Sequence, residues 1–121
     1  FPYTTLFRSG EELTPLAHGS SRRVFAEQTA EKLQELLAGV VAEGTGRQAA
    51  PSEGTAAGKT GTAQTGQFRD GEELKNYWFA GFYPAEKPRW TIVVMQDAQT
   101  EPEVSSAAVF ARLCDALSAG E

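Results

Sequence analysis

The sequence predicts an α+β domain, in which a three-stranded antiparallel sheet is flanked by an N-terminal and a C-terminal helix. Two observations predict the helices, because apolar residues recur at spacings of three and four near each end of the chain. A third predicts the sheet, because three strand candidates lie between these stretches and are joined by connections too short for parallel crossovers. The helices are then expected to pack on the sheet.

The first nine residues, FPYTTLFRS, resemble the in-frame translation of a widely used sequencing-library adapter. The alternative is an N-terminal strand, because residues 3–7 are rich in strand-forming side chains. We predict that residues 1–9 are adapter-derived and leave them out of the fold prediction. Residues 10–26 are predicted to form a loop, because the segment is largely polar and contains glycine and proline.

The first helix is predicted from about Glu27 to Glu43. Gly44 and Gly46 follow it and supply a stop signal. The residues from there to position 56 are predicted to form a loop. Five residues make up the apolar stripe of the helix: Ala30, Leu33, Leu37, Val40 and Val41.

The three strand candidates are residues 57–65, 76–83 and 90–96. The first is glycine-rich, and the second, NYWFAGFY, is strongly aromatic. The third begins WTIVVM and is apolar on both faces, which predicts a central strand covered on both sides. The large aromatic residues are predicted to belong to the sheet core rather than to a ligand platform; they are Trp78, Phe79, Phe82 and Trp90.

The second helix is predicted from about Glu103 to Ala119, where small and apolar residues again form a stripe. The sequence TEPE at 100–103 matches a capping box, which predicts Thr100 as the N-cap. Cys114 lies on the apolar stripe and is predicted to be a small buried residue.

Composition and charge limit the classes of function. The net charge is -5 and no long basic block occurs, which argues against a nucleic-acid-binding surface. No apolar run approaches the ~18 residues of a membrane-spanning helix, and no signal peptide is found. The chain has one cysteine and one histidine, too few for a Cys/His metal cluster, so we expect no metal site.

Lys59 is the most informative residue, because it is the one charged residue in GTAAGKTGTAQ, residues 54–64. A phosphate-binding P-loop would require glycine where Glu53 stands, and a helix opening after the lysine. The residues that follow contain two glycines and no apolar helical stripe. The sequence therefore argues against a nucleotide site.

The triplet Lys59-Thr60-Gly61 matches instead the Lys-Thr-Gly strand of serine acyltransferases that act on D-alanyl peptides. A cation and hydroxyl donors suit a substrate carboxylate, and a strand N–H suits an acyl oxyanion. Gly61 lets a substrate lie close to the strand. Strand alternation places Lys59 and Gly61 on one face and Thr60 and Thr62 on the other, so a cleft served by all four must run along the strand edge.

The stretches AGKTGTAQ, NYWFAGFYP and PRWTIVVM, with the helix ending LLAGVVAEGTG, resemble the C-terminal part of the transpeptidase domain of class B penicillin-binding proteins. The resemblance covers residues 22–117. It implies the penicillin-binding and serine β-lactamase-like fold, with residues 27–121 as the C-terminal portion of a domain whose N-terminal part is missing. No metal or organic cofactor is implied.

The resemblance also implies roles for five residues. Lys59 would contact the carboxylate side of the substrate and tune a serine of a second motif, while Thr60 and Thr62 would hydrogen-bond the substrate carboxylate. The Thr62 N–H would be one half of the oxyanion hole, and Gly61 would line the strand edge. Gln64 is predicted either to face the cleft or to have a structural use.

The family's nucleophile, a serine in Ser-x-x-Lys, does not occur in this sequence, nor does its Ser-x-Asn motif. The chain is therefore predicted to be inactive alone, although its parent would be a D,D-transpeptidase that cross-links peptidoglycan stem peptides and binds β-lactams. The implied location of the parent is the extracytoplasmic face of the cell membrane, with an anchor that this chain lacks. Alternatives are a D,D-carboxypeptidase, a penicillin-sensing domain, and a non-catalytic binding module.

Overall fold

The computed structural model describes residues 22–120, apart from the side chains of Ala98 and Gln99. Its elements are α1 (Glu27–Ala42), a 3₁₀ turn (Arg47–Ala49), β1 (Ala57–Arg69), β2 (Glu72–Tyr83), β3 (Trp90–Gln99) and α2 (Ser106–Ala119). The strands form one sheet in the order β1-β2-β3, and both pairs are antiparallel. The predicted α+β class is thus confirmed, whereas the predictions for residues 1–21 lie outside the described residues.

The hairpin between β1 and β2 is longer than the sequence predicted, because the expected connection over 66–75 is mostly strand. The strands meet at a two-residue turn, in which Asp70 has a φ of 52° and Gly71 a φ of 87°. Positive φ at both central residues is the geometry of a type I′ hairpin turn, for which Asp-Gly is a favoured pair. The register shifts between Gln64 and Phe68, and Gly66 in that irregular stretch also has a positive φ of 70°.

Among the described residues β3, which was predicted to be central, lies at one edge of the sheet. β2 pairs with both other strands, while β3 pairs with β2 alone among the described residues. Ile92 and Val94 pack against the core, but Val93 is 57% exposed and Met95 is 45% exposed on the opposite face. The prediction failed because apolar side chains on both faces of a strand do not establish that both faces are covered within the same chain.

The core lies between the helices and the face of the sheet that carries Phe79. Phe79 and Phe110 are fully buried, and their ring centroids lie 4.6 Å apart. Gly81 allows this packing, since a Cβ there would stand 2.5 Å from the Ala57 carbonyl oxygen and 3.0 Å from the Phe110 ring. The cluster draws on both helices and comprises Val41, Ala49, Ala56, Phe79, Tyr83, Ala107, Phe110 and Cys114.

Cys114 is buried on α2, as predicted. Burial, with Asp115 beside it, raises the pKa of the Cys114 thiol to about 11. The thiol is therefore neutral at physiological pH and serves the packing of the core. None of the helices within residues 22–120 has the length and apolar character needed to cross a bilayer.

The N-terminus of α2 also differs from the prediction. Its N-cap is Ser105 rather than Thr100, and the Ser105 hydroxyl accepts a hydrogen bond of 3.1 Å from the Ala108 N–H. The carbonyl of Thr100 accepts the Tyr77 hydroxyl instead, at 2.7 Å. The Ser106 hydroxyl donates to the Tyr77 carbonyl at 2.8 Å, which ties the start of the helix to β2. A local cap at Ser105 and a bond from Ser106 to β2 therefore accompany the start of the helix.

Candidate active site

Lys59 lies on β1, a strand that pairs on one side only among the described residues. Its ammonium nitrogen donates to both the carbonyl oxygen and the hydroxyl of Thr60, each at 3.1 Å. The charged group is thus placed at the threonine hydroxyl. Because residues 57–69 form a strand instead of opening a helix, the structure also argues against a P-loop.

Thr60 and Thr62 open onto a cleft of about 200 Å³, which we call the hydroxyl cleft. One wall is formed by residues 60–62 of β1. A second is formed by Thr45 and Gln48 after α1, and a third by residues 105–107 at the start of α2. Tyr77, Trp78 and Pro102 complete the lining. The cleft therefore presents several hydroxyl groups from three separate parts of the chain.

The walls of the hydroxyl cleft are joined by side-chain hydrogen bonds. The hydroxyl oxygens of Thr45 and Thr60 lie 3.4 Å apart. The Ser105 hydroxyl donates to the Gln48 side-chain carbonyl, so the N-cap of α2 holds the same loop. The segment that follows α1 is thus tied to β1 at one end and to α2 at the other.

Gln64, a predicted site residue, lies apart from this cleft. Its amide donates to the Glu73 carboxylate on β2 at 2.6 Å, and it lines a separate surface pocket near Lys75 and Thr100. Of the predicted residues, Thr60, Gly61 and Thr62 line the hydroxyl cleft together. Lys59 reaches it through the Thr60 hydroxyl.

The other lining residues of the cleft were not among the predicted site residues; they are Thr45, Gln48, Tyr77, Trp78, Pro102, Ser105, Ser106 and Ala107. Trp78, predicted to be core, is 38% exposed and faces Gly61 across the β1–β2 pair. A Cβ on Gly61 would stand 3.4 Å from the Trp78 Cβ, so the glycine leaves the base of the tryptophan open. A pattern signal existed for Trp78 alone, since it alternates with buried Phe79 along β2.

The described residues contain no cluster of histidine, cysteine and carboxylate side chains that would hold a metal ion. The groups that the arrangement presents are hydrogen-bond donors. One ammonium and two strand hydroxyls lie beside an open strand edge, a combination suited to a carboxylate and a neighbouring acyl group.

The sequence matches the family described as the penicillin binding protein transpeptidase domain over residues 3–115. It is 40% identical to stage V sporulation protein D of Bacillus subtilis over 81 residues, which is 64% of this chain and 12% of that protein. The match to the family begins within residues 1–9, and the adapter origin of that segment stays a prediction.

Two solved structures show the same arrangement. The transpeptidase domain of penicillin-binding protein 3 from Burkholderia pseudomallei is 26% identical, with a TM-score of 0.71 over 95% of this chain and 35% of that one. The transpeptidase domain of the FtsI4 D,D-transpeptidase from Legionella pneumophila is 29% identical, with a TM-score of 0.61 over 76% of this chain and 36% of that one. The chain thus spans about a third of these solved domains.

Proposed function

Because this chain belongs to the penicillin-binding protein transpeptidase domain family, we propose that it is the C-terminal portion of a serine D,D-transpeptidase that cross-links peptidoglycan. In the proposed reaction a serine of the parent protein attacks the D-Ala-D-Ala peptide bond of a stem peptide. D-Ala leaves with the proton, and the acyl group passes to an amine of a neighbouring stem. β-Lactams enter the same site and trap the acyl-enzyme.

The observation that carries the proposal is the meeting of Lys59, Thr60 and Thr62 at one open strand edge. A lysine ammonium has donors only, so the Thr60 hydroxyl accepts the 3.1 Å bond and keeps its own proton to donate. The adjacent positive charge strengthens that donation. Thr60 and Thr62 line the same cleft, which allows two hydroxyls to hold one carboxylate.

The acyl oxygen of the substrate needs a second set of donors. We assign one to the Thr62 N–H, on the strand whose outer side carries no partner among the described residues. The other would be the N–H of the nucleophilic serine, which the parent supplies. Gly61 leaves room for a peptide or a β-lactam ring against the strand. Gln64 has no direct part in this proposal, since its amide donates to Glu73 and it lies outside the hydroxyl cleft.

The rest of the same domain is the partner that this proposal requires. Trp78, Val93 and Met95 expose apolar surface on the face of the sheet away from the helices. We propose that the N-terminal part of the domain covers this face and brings the Ser-x-x-Lys and Ser-x-Asn motifs to the cleft. We place the parent at the extracytoplasmic face of the cell membrane, where stem peptides are cross-linked.

The test is acylation of the parent protein by a fluorescent penicillin, followed by mass spectrometry of the labelled peptide. The proposal predicts a penicilloyl adduct on a serine of an upstream Ser-x-x-Lys motif. Transfer of the acyl group to an amine acceptor would identify a transpeptidase, and hydrolysis alone would identify a D,D-carboxypeptidase. An unlabelled parent that lacks Ser-x-x-Lys would overturn the proposal in favour of a non-catalytic binding module.

A further inference from the structure

The Thr60 hydroxyl is the group in the hydroxyl cleft at which two other side chains meet. Within residues 22–120 two side chains reach it, the Lys59 ammonium at 3.1 Å and the Thr45 hydroxyl at 3.4 Å. Thr45 lies on the loop after α1, and the proposed function assigns it no role. It also lines the cleft directly, beside residues 60–62.

Proton counting fixes the direction of the bond from Lys59 and allows either direction for the contact between Thr45 and Thr60. A hydroxyl has one proton to donate and two lone pairs to accept with, while Lys59 donates only. Thr60 therefore accepts from Lys59, and the Thr45 hydroxyl oxygen lies within reach of the Thr60 proton. When a carboxylate enters, the Thr60 proton must turn to it. The Thr45 hydroxyl can then rotate and donate to the second lone pair of Thr60.

The loop around Thr45 is built to hold this position. A Cβ on Gly44 would stand 2.9 Å from the Val40 backbone, and one on Gly46 would stand 3.1 Å from the Val40 side chain. The two glycines thus let the loop lie against the end of α1 on both sides of Thr45. Further along, the Ser105 hydroxyl holds Gln48, so α2 fixes the far end of the loop.

We propose that Thr45 is a positioning residue for Thr60. It contacts the Thr60 hydroxyl at 3.4 Å and becomes its donor when a substrate carboxylate binds. The inference rests on the proposed function, because it assigns Thr45 to the carboxylate-binding step of that reaction. The effect of Thr45 should therefore depend on the carboxylate of the ligand.

The test compares two variants of the parent protein, Thr45→Val and Thr45→Ser, with two ligands, a penicillin and its methyl ester. Valine keeps the branched shape and removes the hydroxyl, whereas serine keeps the hydroxyl. We expect Thr45→Val to lower the second-order rate of acylation by the free acid about three- to tenfold, the scale of one hydrogen bond. The rate with the ester should change by less than about twofold, so the ratio of the two rates falls. Serine should restore the ratio.

An equal loss with acid and ester would overturn the inference, because a purely structural role lowers both rates together. Failure of serine to restore the ratio, or wild-type rates in Thr45→Val, would also overturn it while leaving the proposed function standing. If the wild-type parent is not acylated at all, the proposed function fails, and the role of Thr45 fails with it.

Discussion

The two faces of the sheet contrast sharply. On one face Phe79 is completely buried against Phe110, and residues from both helices complete the core. On the other, Trp78, Val93 and Met95 are between 38% and 57% exposed. Neighbouring residues of the same strands thus have opposite environments. The difference teaches that the described residues form one finished core and one apolar surface without a cover.

The proposed site lies at the edge of β1, where the buried face of the sheet meets its exposed apolar face. Thr60 and Thr62 face the cleft between β1, α2 and the loop after α1. Lys59 and Gly61 alternate with them along the strand. A substrate at this edge would contact Thr60 and Thr62, whose positions depend on the packing of β1 against the core. The part of the protein that covers the exposed apolar face would enclose the substrate from the other side.

The largest expected effect is a loss of acylation rate when the charge of Lys59 is removed. In the parent protein, Lys59→Ala should lower the rate of acylation by a fluorescent penicillin by about two to four orders of magnitude, the scale for removing a preorganised electrostatic group. Gln64→Ala is the matched control, since Gln64 lies outside the hydroxyl cleft, and it should change the rate by less than about threefold. If the Lys59→Ala variant is labelled at the wild-type rate, Lys59 has no role in acylation.

The second prediction tests the two faces directly by stability. Phe79→Ala should lower the free energy of unfolding by about 3–5 kcal/mol, because it empties the centre of the core. Met95→Ala on the uncovered face should cost about 0.5 kcal/mol or less in this chain. Urea denaturation followed by tryptophan fluorescence measures both. Equal losses would show that the second face is covered in this chain after all.

A smaller effect is expected at the N-cap of α2. Ser105→Ala should destabilise the chain by about 1 kcal/mol, because the Ala108 N–H loses its acceptor. Ser105→Asp keeps a capping acceptor but has no proton to donate to Gln48, so it should stay near wild-type stability. If aspartate destabilises the chain as much as alanine, the bond to Gln48 rather than the cap carries the effect.

The smallest effect is expected from deleting residues 1–9. If that segment is adapter-derived, its removal should leave the thermal midpoint of the chain unchanged within measurement error. A clear loss of stability would mean that the segment covers apolar surface. Finding the same nine codons in independently prepared genomic DNA would also contradict the adapter origin.

The sequence was sufficient for the elements because their apolar spacing is local. Both helices and all three strands are present near their predicted positions, although β1 and β2 extend further into the hairpin and α2 begins later. The Lys-Thr-Gly triplet lies on β1, which pairs on one side only among the described residues. The Asp70-Gly71 turn carried a readable signal that was overlooked. The N-cap of α2 was predicted wrongly at Thr100, because a capping-box pattern there competed with the serine at position 105. The place of β3 in the sheet was predicted wrongly, because it depends on contacts between distant elements.

Only the β1 residues of the hydroxyl cleft could be predicted from the sequence, for the same reason. Thr60 and Thr62 follow from the motif and from strand alternation, but Thr45 and Gln48 reach the cleft only after the loop has folded back along α1 and β1. The sequence GTGRQ at residues 44–48 contains no pattern that predicts a contact between the hydroxyls of Thr45 and Thr60. Such a contact becomes visible only in three dimensions.

The central claim is that this chain supplies the substrate-binding edge of a cleft whose nucleophile lies in the rest of the domain. The most direct test incubates this chain and its parent separately with a fluorescent penicillin and resolves them by denaturing electrophoresis. We predict a covalent band from the parent and none from this chain, because acylation needs an activated nucleophile beside its base. A covalent band from this chain alone, lost when unlabelled penicillin is added first, would contradict the account.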